Sequence, residues 1–364
     1  MYKIYRDHKE ELISNLVQRE QTNQTTWHHT NMTGYVHYVD GQFMIRSYKG
    51  YLYQSTDHGE TWELIIDLST LFSDQLKLFC RLTRRLFRTH IYHVIPVDDV
   101  WIVFGLGKIF TVSLSRREVI AVNPIQGSRP LLICDHRRSV YYGEYIRNPE
   151  RRKISIFKSN NKHTSFSTIY SFNSIRHVHG VFHDPYSGNL FATTGDKDQE
   201  CHIGFFKNGN FNPIISGSQQ TRCVQPLFSQ NHIHFATDAP DEKNSIYCYE
   251  RSSNKITLLQ HTGGPVFYSC QAGGLSFFAT VCEPSDINKV HEVELWASAD
   301  GNTWKCILTL KKDRWSLKYF GYGLISFPAG PGSDEYLWLN PMAITHDQEI
   351  LKIPIQDIKK TLSK

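Results

Sequence analysis

Asn189-Leu-Phe-Ala-Thr-Thr194, His232-Ile-His-Phe-Ala-Thr237 and Leu275-Ser-Phe-Phe-Ala-Thr280 are versions of one phrase, each carrying Phe-Ala-Thr and each followed by an acidic loop. Ser139-Val-Tyr-Tyr-Gly-Glu144 holds the same place one segment earlier. Runs of five or six β-branched and aromatic residues, punctuated by Gly, Pro, Asn and Asp, predict strands. Working outward, the same order of events recurs along the chain: an apolar run, a turn, a second apolar run, a polar loop and a hairpin. First strands are expected to begin near Tyr35, His90, Leu131, Arg176, Arg222, Val266 and Leu317. The interval is roughly 40 to 55 residues, the length of a four-stranded propeller blade. The expected fold is therefore an all-β β-propeller of seven four-stranded blades, with six as the alternative count and two stacked sandwiches as the competing architecture. One domain is expected over residues 1–364, with a partly helical insertion at about 70–89 lengthening the first interval. Helix signals are otherwise confined to residues 8–20.

Composition agrees. The 364 residues are 40% hydrophobic and 13% aromatic, an aromatic share that favours strands over a Leu-rich helical core. A net charge of +5 is scattered rather than gathered into a tract, so the sequence predicts no nucleic-acid partner. No run of 18 apolar residues occurs, and no membrane span is expected. The eight cysteines are irregularly spaced inside apolar runs, as free thiols are, and no CxxC pair occurs. With no apolar leader after Met1, the expected location is cytoplasmic.

Two short motifs refine the fold. Ser55-Thr-Asp57-His-Gly59-Glu-Thr61-Trp62 fits Ser-x-Asp-x-Gly-x-Thr-Trp, and Ser298-Ala-Asp300-Gly301-Asn-Thr303-Trp304 is a form one residue shorter. A decayed copy runs from Ser159 to Phe166. In such a turn the Asp carboxylate accepts from backbone N–H groups, Gly takes a positive φ and the indole packs beneath the hairpin. With these motifs the chain resembles the Asp-box (BNR-repeat, sialidase-like) β-propeller superfamily. Gly143-Glu144-Tyr145 with Asn148 to Arg151, the run Ile175 to Gly188, and Thr193-Thr194-Gly195-Asp196 are similar to uncharacterised propellers of bacterial surface-polysaccharide systems. The resemblance implies a structural role for Asp57 and Asp300 and a glycan ligand. It does not extend to sialidase residues: Ile45-Arg46-Ser47 stands where an Arg-Ile-Pro segment would fall.

Propeller topology predicts where a site must lie. Each first strand starts, and each second strand ends, at the same end of the central channel. Ends of second strands supply Glu144 with Tyr145, Asp196, Asp238 and Glu283; starts of first strands supply Arg176, His177, His179, Arg222 and Tyr268. His177, His179, Glu144 and Tyr145 are the expected catalytic groups, since imidazole, carboxylate and phenol can move protons. Arg176, Arg222, Asp196, Asp238, Glu283 and Tyr268 are the expected substrate-binding groups. His177 and His179 share one strand face and invite a metal reading, but a core or proton-transfer role is the alternative, and no metal site is assigned. The sequence names no cofactor and no oligomeric state. The expected function is a carbohydrate-active enzyme that cleaves or modifies an acidic oligo- or polysaccharide, by glycoside hydrolase or polysaccharide lyase chemistry. A non-catalytic propeller that binds a glycan or partner is the alternative.

Overall fold

A computed structural model describes residues 19–22, 25–69, 72–289 and 291–364. Four antiparallel sheets have four strands each, and further strands form a five-stranded and a nine-stranded sheet. One sheet shows the pattern of all: His177–His183, Leu190–Gly195, His202–Lys207 and Asn210–Ser216 pair in chain order as consecutive hairpins. Burial follows position. Every residue of Leu190–Gly195 is buried, whereas Asn210–Ser216 is mostly exposed or half-buried, so the second strand lies inside and the fourth outside. First strands from successive sheets line an axial cavity of about 140 Å³, with Val36, Val94, Ile133 and Tyr268 among its walls.

The sheets pack face to face around that axis. Ile45 and Leu52 of one sheet meet Trp101 and Val103 of the next, whose Ile102 and Phe104 meet Val140 and Tyr142 beyond. The series continues through Val178 and Ala192, Phe191 with Phe235, Phe278 with Ala236, and Phe277 with Ile325 and Leu339. Val36 and Met44 then meet Trp338 and Ile350, joining the chain's last sheet to its first. Large apolar side chains buried between sheets at every step make a closed ring rather than two stacked layers. The fold is a β-propeller.

Closure uses an element that the hydrophobic pattern does not predict. Strand Thr25–Thr33 pairs with Glu349–Pro354, in register at His28 and Lys352, so the beginning of the chain supplies an outer strand to its final sheet. Residues 19 and 20, where the expected helix ends, belong to the strand Arg19–Thr22, and the rest of that expected helix lies outside the described residues. Leu317, expected to open a first strand, lies in the short helix Leu317–Phe320; the strand begins at Gly323. Between the first two of these sheets the chain forms two short helices, Phe72–Leu78 and Arg81–Phe87.

Both motif turns join the third and fourth strands of their sheets. Asp57 accepts from the Thr61 amide at 2.9 Å, and Trp62 Nε1 donates to Gly59 O at 3.0 Å. Thr61, through hydroxyl and amide, holds the Asp57 carboxyl down at about 2. Asp300 likewise accepts from the Asn302 and Thr303 amides at 2.8 and 2.7 Å, and Trp304 donates to Gly301 O at 3.1 Å. In the decayed copy Asn160 Oδ1 replaces the carboxylate, accepting from the Thr164 amide at 2.9 Å. All eight cysteines are free thiols. Among the described residues, no helix is long and apolar enough to cross a membrane.

Candidate functional site

Because strands in each hairpin are antiparallel, the start of a first strand faces the end of the second. His177 pairs with Gly195, and Val266 with Thr280. At this end of the axis a cavity of about 1090 Å³ opens. It collects Tyr145, Arg176, His177, His179, Asp196, Arg222, Asp238 and Glu283 from separate sheets. Two expected residues lie elsewhere. Glu144 does not line this cavity: its carboxylate accepts from the Ser155 amide at 3.2 Å and faces Arg152 at 3.5 Å. Tyr268 lines the axial cavity instead.

Asp196 is the hub. Its Oδ2 takes Arg176 Nη1 at 2.6 Å, and its Oδ1 lies 3.1 Å from Arg222 Nη2, 3.2 Å from His177 Nε2 and 3.5 Å from His179 Nε2. Two local features place it there. Gly195 leaves room for the neighbouring ring, since a Cβ at that position would come within 2.6 Å of His179 Cε1. Buried Glu200 accepts from the backbone amides of Arg176 at 3.1 Å and Asp196 at 3.2 Å, tying the two segments together, and holds Arg151 Nε at 2.6 Å.

The imidazoles are oriented by backbone carbonyls. His177 Nδ1 lies 3.1 Å from Ile146 O, and His179 Nδ1 lies 3.0 Å from Cys223 O. A carbonyl oxygen only accepts, so both Nδ1 atoms carry a proton and both Nε2 atoms point inward. The Tyr145 ring covers His177 at a centroid distance of 4.2 Å.

Burial separates the ionisation of the carboxyls. It works against ionisation of Asp196, but hydrogen bonds that His177 and His179 give when protonated at Nε2, together with the Arg222 charge, outweigh it and hold that carboxyl well below the usual range. Asp238 is pushed up to about 8 by burial; Arg222 opposes the shift, and Glu283 and Asp196 add to it. Burial also raises Glu283 and Tyr145, and lowers His179 to about 4. A charged and a neutral carboxyl in one cavity are the ingredients of acid–base chemistry.

The cavity also contains residues that the sequence reading passed over, among them Arg88, Tyr92, Arg129, Lys197 and Tyr322. Their signal was available. Arg88 and Arg129 each precede a first strand by a few residues, the same kind of position that singled out Arg176. Among the described residues neither guanidinium has a carboxylate within ion-pair distance; Arg129 instead lies over the Tyr92 ring at 5.0 Å.

No family model and no curated protein sequence matches the chain. Solved structures do. The WD40 β-propeller domain of Doa1 is 12% identical, with a TM-score of 0.56 over 92% of this chain and 96% of that one. An oligogalacturonate lyase from Vibrio parahaemolyticus is 8% identical, with a TM-score of 0.59 over 93% of this chain and 97% of that one. At such identities the likeness concerns the path of the chain alone, and it agrees with the closed ring of sheets: this protein has the β-propeller fold.

Proposed function

We propose that this protein is a carbohydrate-active enzyme that binds an acidic oligo- or polysaccharide in the cavity at the channel mouth and cleaves it there. The observation that carries the proposal is the pair Arg88 and Arg129, two cavity guanidinia with no carboxylate partner among the described residues. Such groups suit the carboxylate of a uronic acid, which a guanidinium can take in two parallel hydrogen bonds. Tyr92, Tyr145, Phe267 and Tyr322 add aromatic surface to the same wall. His177, His179, Asp196 and Tyr145 form the reactive centre, with Arg176 and Arg222 holding Asp196 in place. Asp238, kept protonated to about pH 8 by burial, is the proton donor to the leaving oxygen.

Elimination next to a uronate carboxylate suits this set better than hydrolysis. The flanking arginines would stabilise charge that develops on the carboxylate as the neighbouring C–H bond breaks, its proton passing to an imidazole Nε2 of His177 or His179 while the C–O bond breaks and Asp238 protonates the leaving oxygen. One solved propeller of similar shape is named an oligogalacturonate lyase, which lends support to a glycan ligand. The motif turns support kinship with Asp-box propellers. A count of seven blades in one domain is supported by grouping the nine-stranded sheet into two neighbouring blades. Eight free thiols favour a reducing compartment such as the cytoplasm.

The test is to incubate the protein with acidic and neutral oligosaccharides, following reducing ends and the ultraviolet absorbance of a conjugated double bond. Both signals should rise with a polyuronate alone. Reducing ends without absorbance would mean hydrolysis, and saturable binding without either signal would mean a non-catalytic platform. No binding of any acidic glycan would sink the proposal.

A further inference from the structure

The centre of the cavity brings three inward-facing atoms that can each donate an electron pair within 3.5 Å of one another. His177 Nε2 and His179 Nε2 are 3.2 Å apart, and Asp196 Oδ1 lies 3.2 Å from the first and 3.5 Å from the second. Both ring protons are committed to Ile146 O and Cys223 O on the far sides of the rings. With neutral imidazoles, all three facing atoms are acceptors and repel one another. A proton on His177 Nε2 would relieve the two contacts that His177 makes. It would leave His179 Nε2 facing Asp196 Oδ1, acceptor against acceptor. One cation at the centre of the triangle relieves all three contacts together.

We propose that His177 Nε2, His179 Nε2 and Asp196 Oδ1 bind one divalent transition-metal ion of the zinc class. The dimensions fit. Bonds of about 2.0 to 2.1 Å to three corners of a tetrahedron put the donor atoms about 3.3 to 3.4 Å apart. The observed 3.2, 3.2 and 3.5 Å bracket that value without rearrangement. Two imidazoles and one carboxylate on one side of an ion are a familiar donor set for such metals. The surrounding groups fit as well, because a metal-bound imidazole ordinarily donates its other N–H to a carbonyl or carboxylate, and both do so here. Arg176 Nη1 donates to the other oxygen of the Asp196 carboxylate at 2.6 Å, and the Arg222 charge lies 3.1 Å from Oδ1, so both orient it. Among the described residues this is the one place where three such side chains bring donor atoms within 4.8 Å of one another. All three residues line the large cavity, so the remaining coordination position faces it, as in catalytic rather than structural sites.

The proposal is independent of the glycan reading, because it is tested with the metal alone. Protein stripped with a chelator is titrated calorimetrically with Zn²⁺ in the absence of any saccharide. One site is expected. His179→Ala and Asp196→Asn should each weaken it by at least about 100-fold, given that losing even an orienting partner costs about 10- to 100-fold. His183→Ala is the control: that exposed histidine, its ring tilted against His136 at a centroid distance of 4.5 Å, lies at the far end of the same strand and its loss should leave binding unchanged. Melting curves show whether each variant folds. Should a ligand variant not fold, anomalous scattering from a zinc-soaked wild-type crystal reads the site directly, with a peak expected between the three side chains. Absence of binding at micromolar Zn²⁺, a peak elsewhere, or binding lost in His183→Ala but kept in Asp196→Asn would each overturn the proposal.

Discussion

The guanidinium of Arg222 meets the carboxyl of Asp238 at 3.1 Å, with the side chains only 15% and 4% exposed. The pairing is unequal. Arg222 also serves Asp196, and burial acts on Asp238 more strongly than a shared positive charge can offset. Asp238 therefore binds its proton up to about pH 8 in the folded protein. Its other oxygen is buried without a hydrogen-bond partner, which accords with a carboxyl that is not obliged to carry charge.

That relationship predicts how stability depends on pH. An acid whose folded pKa is raised holds more protons folded than unfolded, so its contribution is full below its ordinary value near 4 and declines as pH rises toward about 8. Wild-type melting temperature should accordingly fall between pH 5 and 8 relative to Asp238→Asn, which cannot ionise. Arg222→Gln, lacking the opposing charge, should extend the decline to higher pH. Parallel melting curves for wild type and Asp238→Asn across that range would refute the assignment.

Gly195→Ala tests the packing that places the hub. The added Cβ would sit 2.6 Å from His179 Cε1, and that ring is held by Cys223 O, so it has little freedom to yield. Crowding of this kind costs roughly 1 to 3 kcal/mol. Displacing a reacting group by about 1 Å costs on the order of a hundredfold in rate. Thermal unfolding and turnover on a polyuronate should both report it; wild-type values in both would show that the ring is not confined.

The motif turns should differ in weight. Trp304 is 6% exposed and packs on Phe278 at 5.0 Å between two sheets, so Trp304→Ala should cost about 3 to 5 kcal/mol by urea denaturation. Trp62 is only half-buried, lying beside the Arg46 guanidinium at 4.9 Å, and its replacement should cost less. Equal losses would mean that the sheets on either side of Trp304 do not depend on it.

Arg129→Gln should leave the fold intact and weaken binding of an acidic oligosaccharide. A hydrogen bond to a charged group contributes about 1.5 to 3 kcal/mol, a loss of roughly 10- to 100-fold in affinity. Neutral oligosaccharides should bind wild type and variant alike. The same loss for both ligand types would assign Arg129 to shape rather than charge.

Deleting residues 1–33 removes the strand paired with Glu349–Pro354, including the bond from Thr30 Oγ1 to Ile350 O at 2.7 Å. Glu349–Pro354, which contains Ile350, Leu351 and Ile353, would become a bare edge inviting association. Size-exclusion chromatography should show aggregates, and cooperative melting should be lost. A monomer with unchanged melting would mean that the ring closes without this strand.

Much of the architecture was legible because strand and turn signals are local. Phe-Ala-Thr recurs where buried second strands end, and the Asp57 turn behaves as its residues suggest, taking the Thr61 amide at 2.9 Å and the Thr61 hydroxyl at 2.5 Å. The candidate site was legible wherever position along a blade decides it, and His177, His179, Asp196, Asp238 and Glu283 converge as topology requires. Glu144 misled because its side chain could turn toward Arg152 or toward the axis, a choice made by packing that no spacing records. Tyr268 missed the large cavity for a similar reason: packing places it on the wall of the smaller axial cavity.

The order of residues alone determined the strands, their hairpins and the motif turns, since each depends on neighbours within a few positions. Pairing of Thr25–Thr33 with Glu349–Pro354 was decided only when the ring closed, because it joins segments more than 300 residues apart. Tertiary structure likewise set the meeting of two histidine Nε2 atoms with one aspartate oxygen, which requires backbone carbonyls from separate sheets to fix each ring.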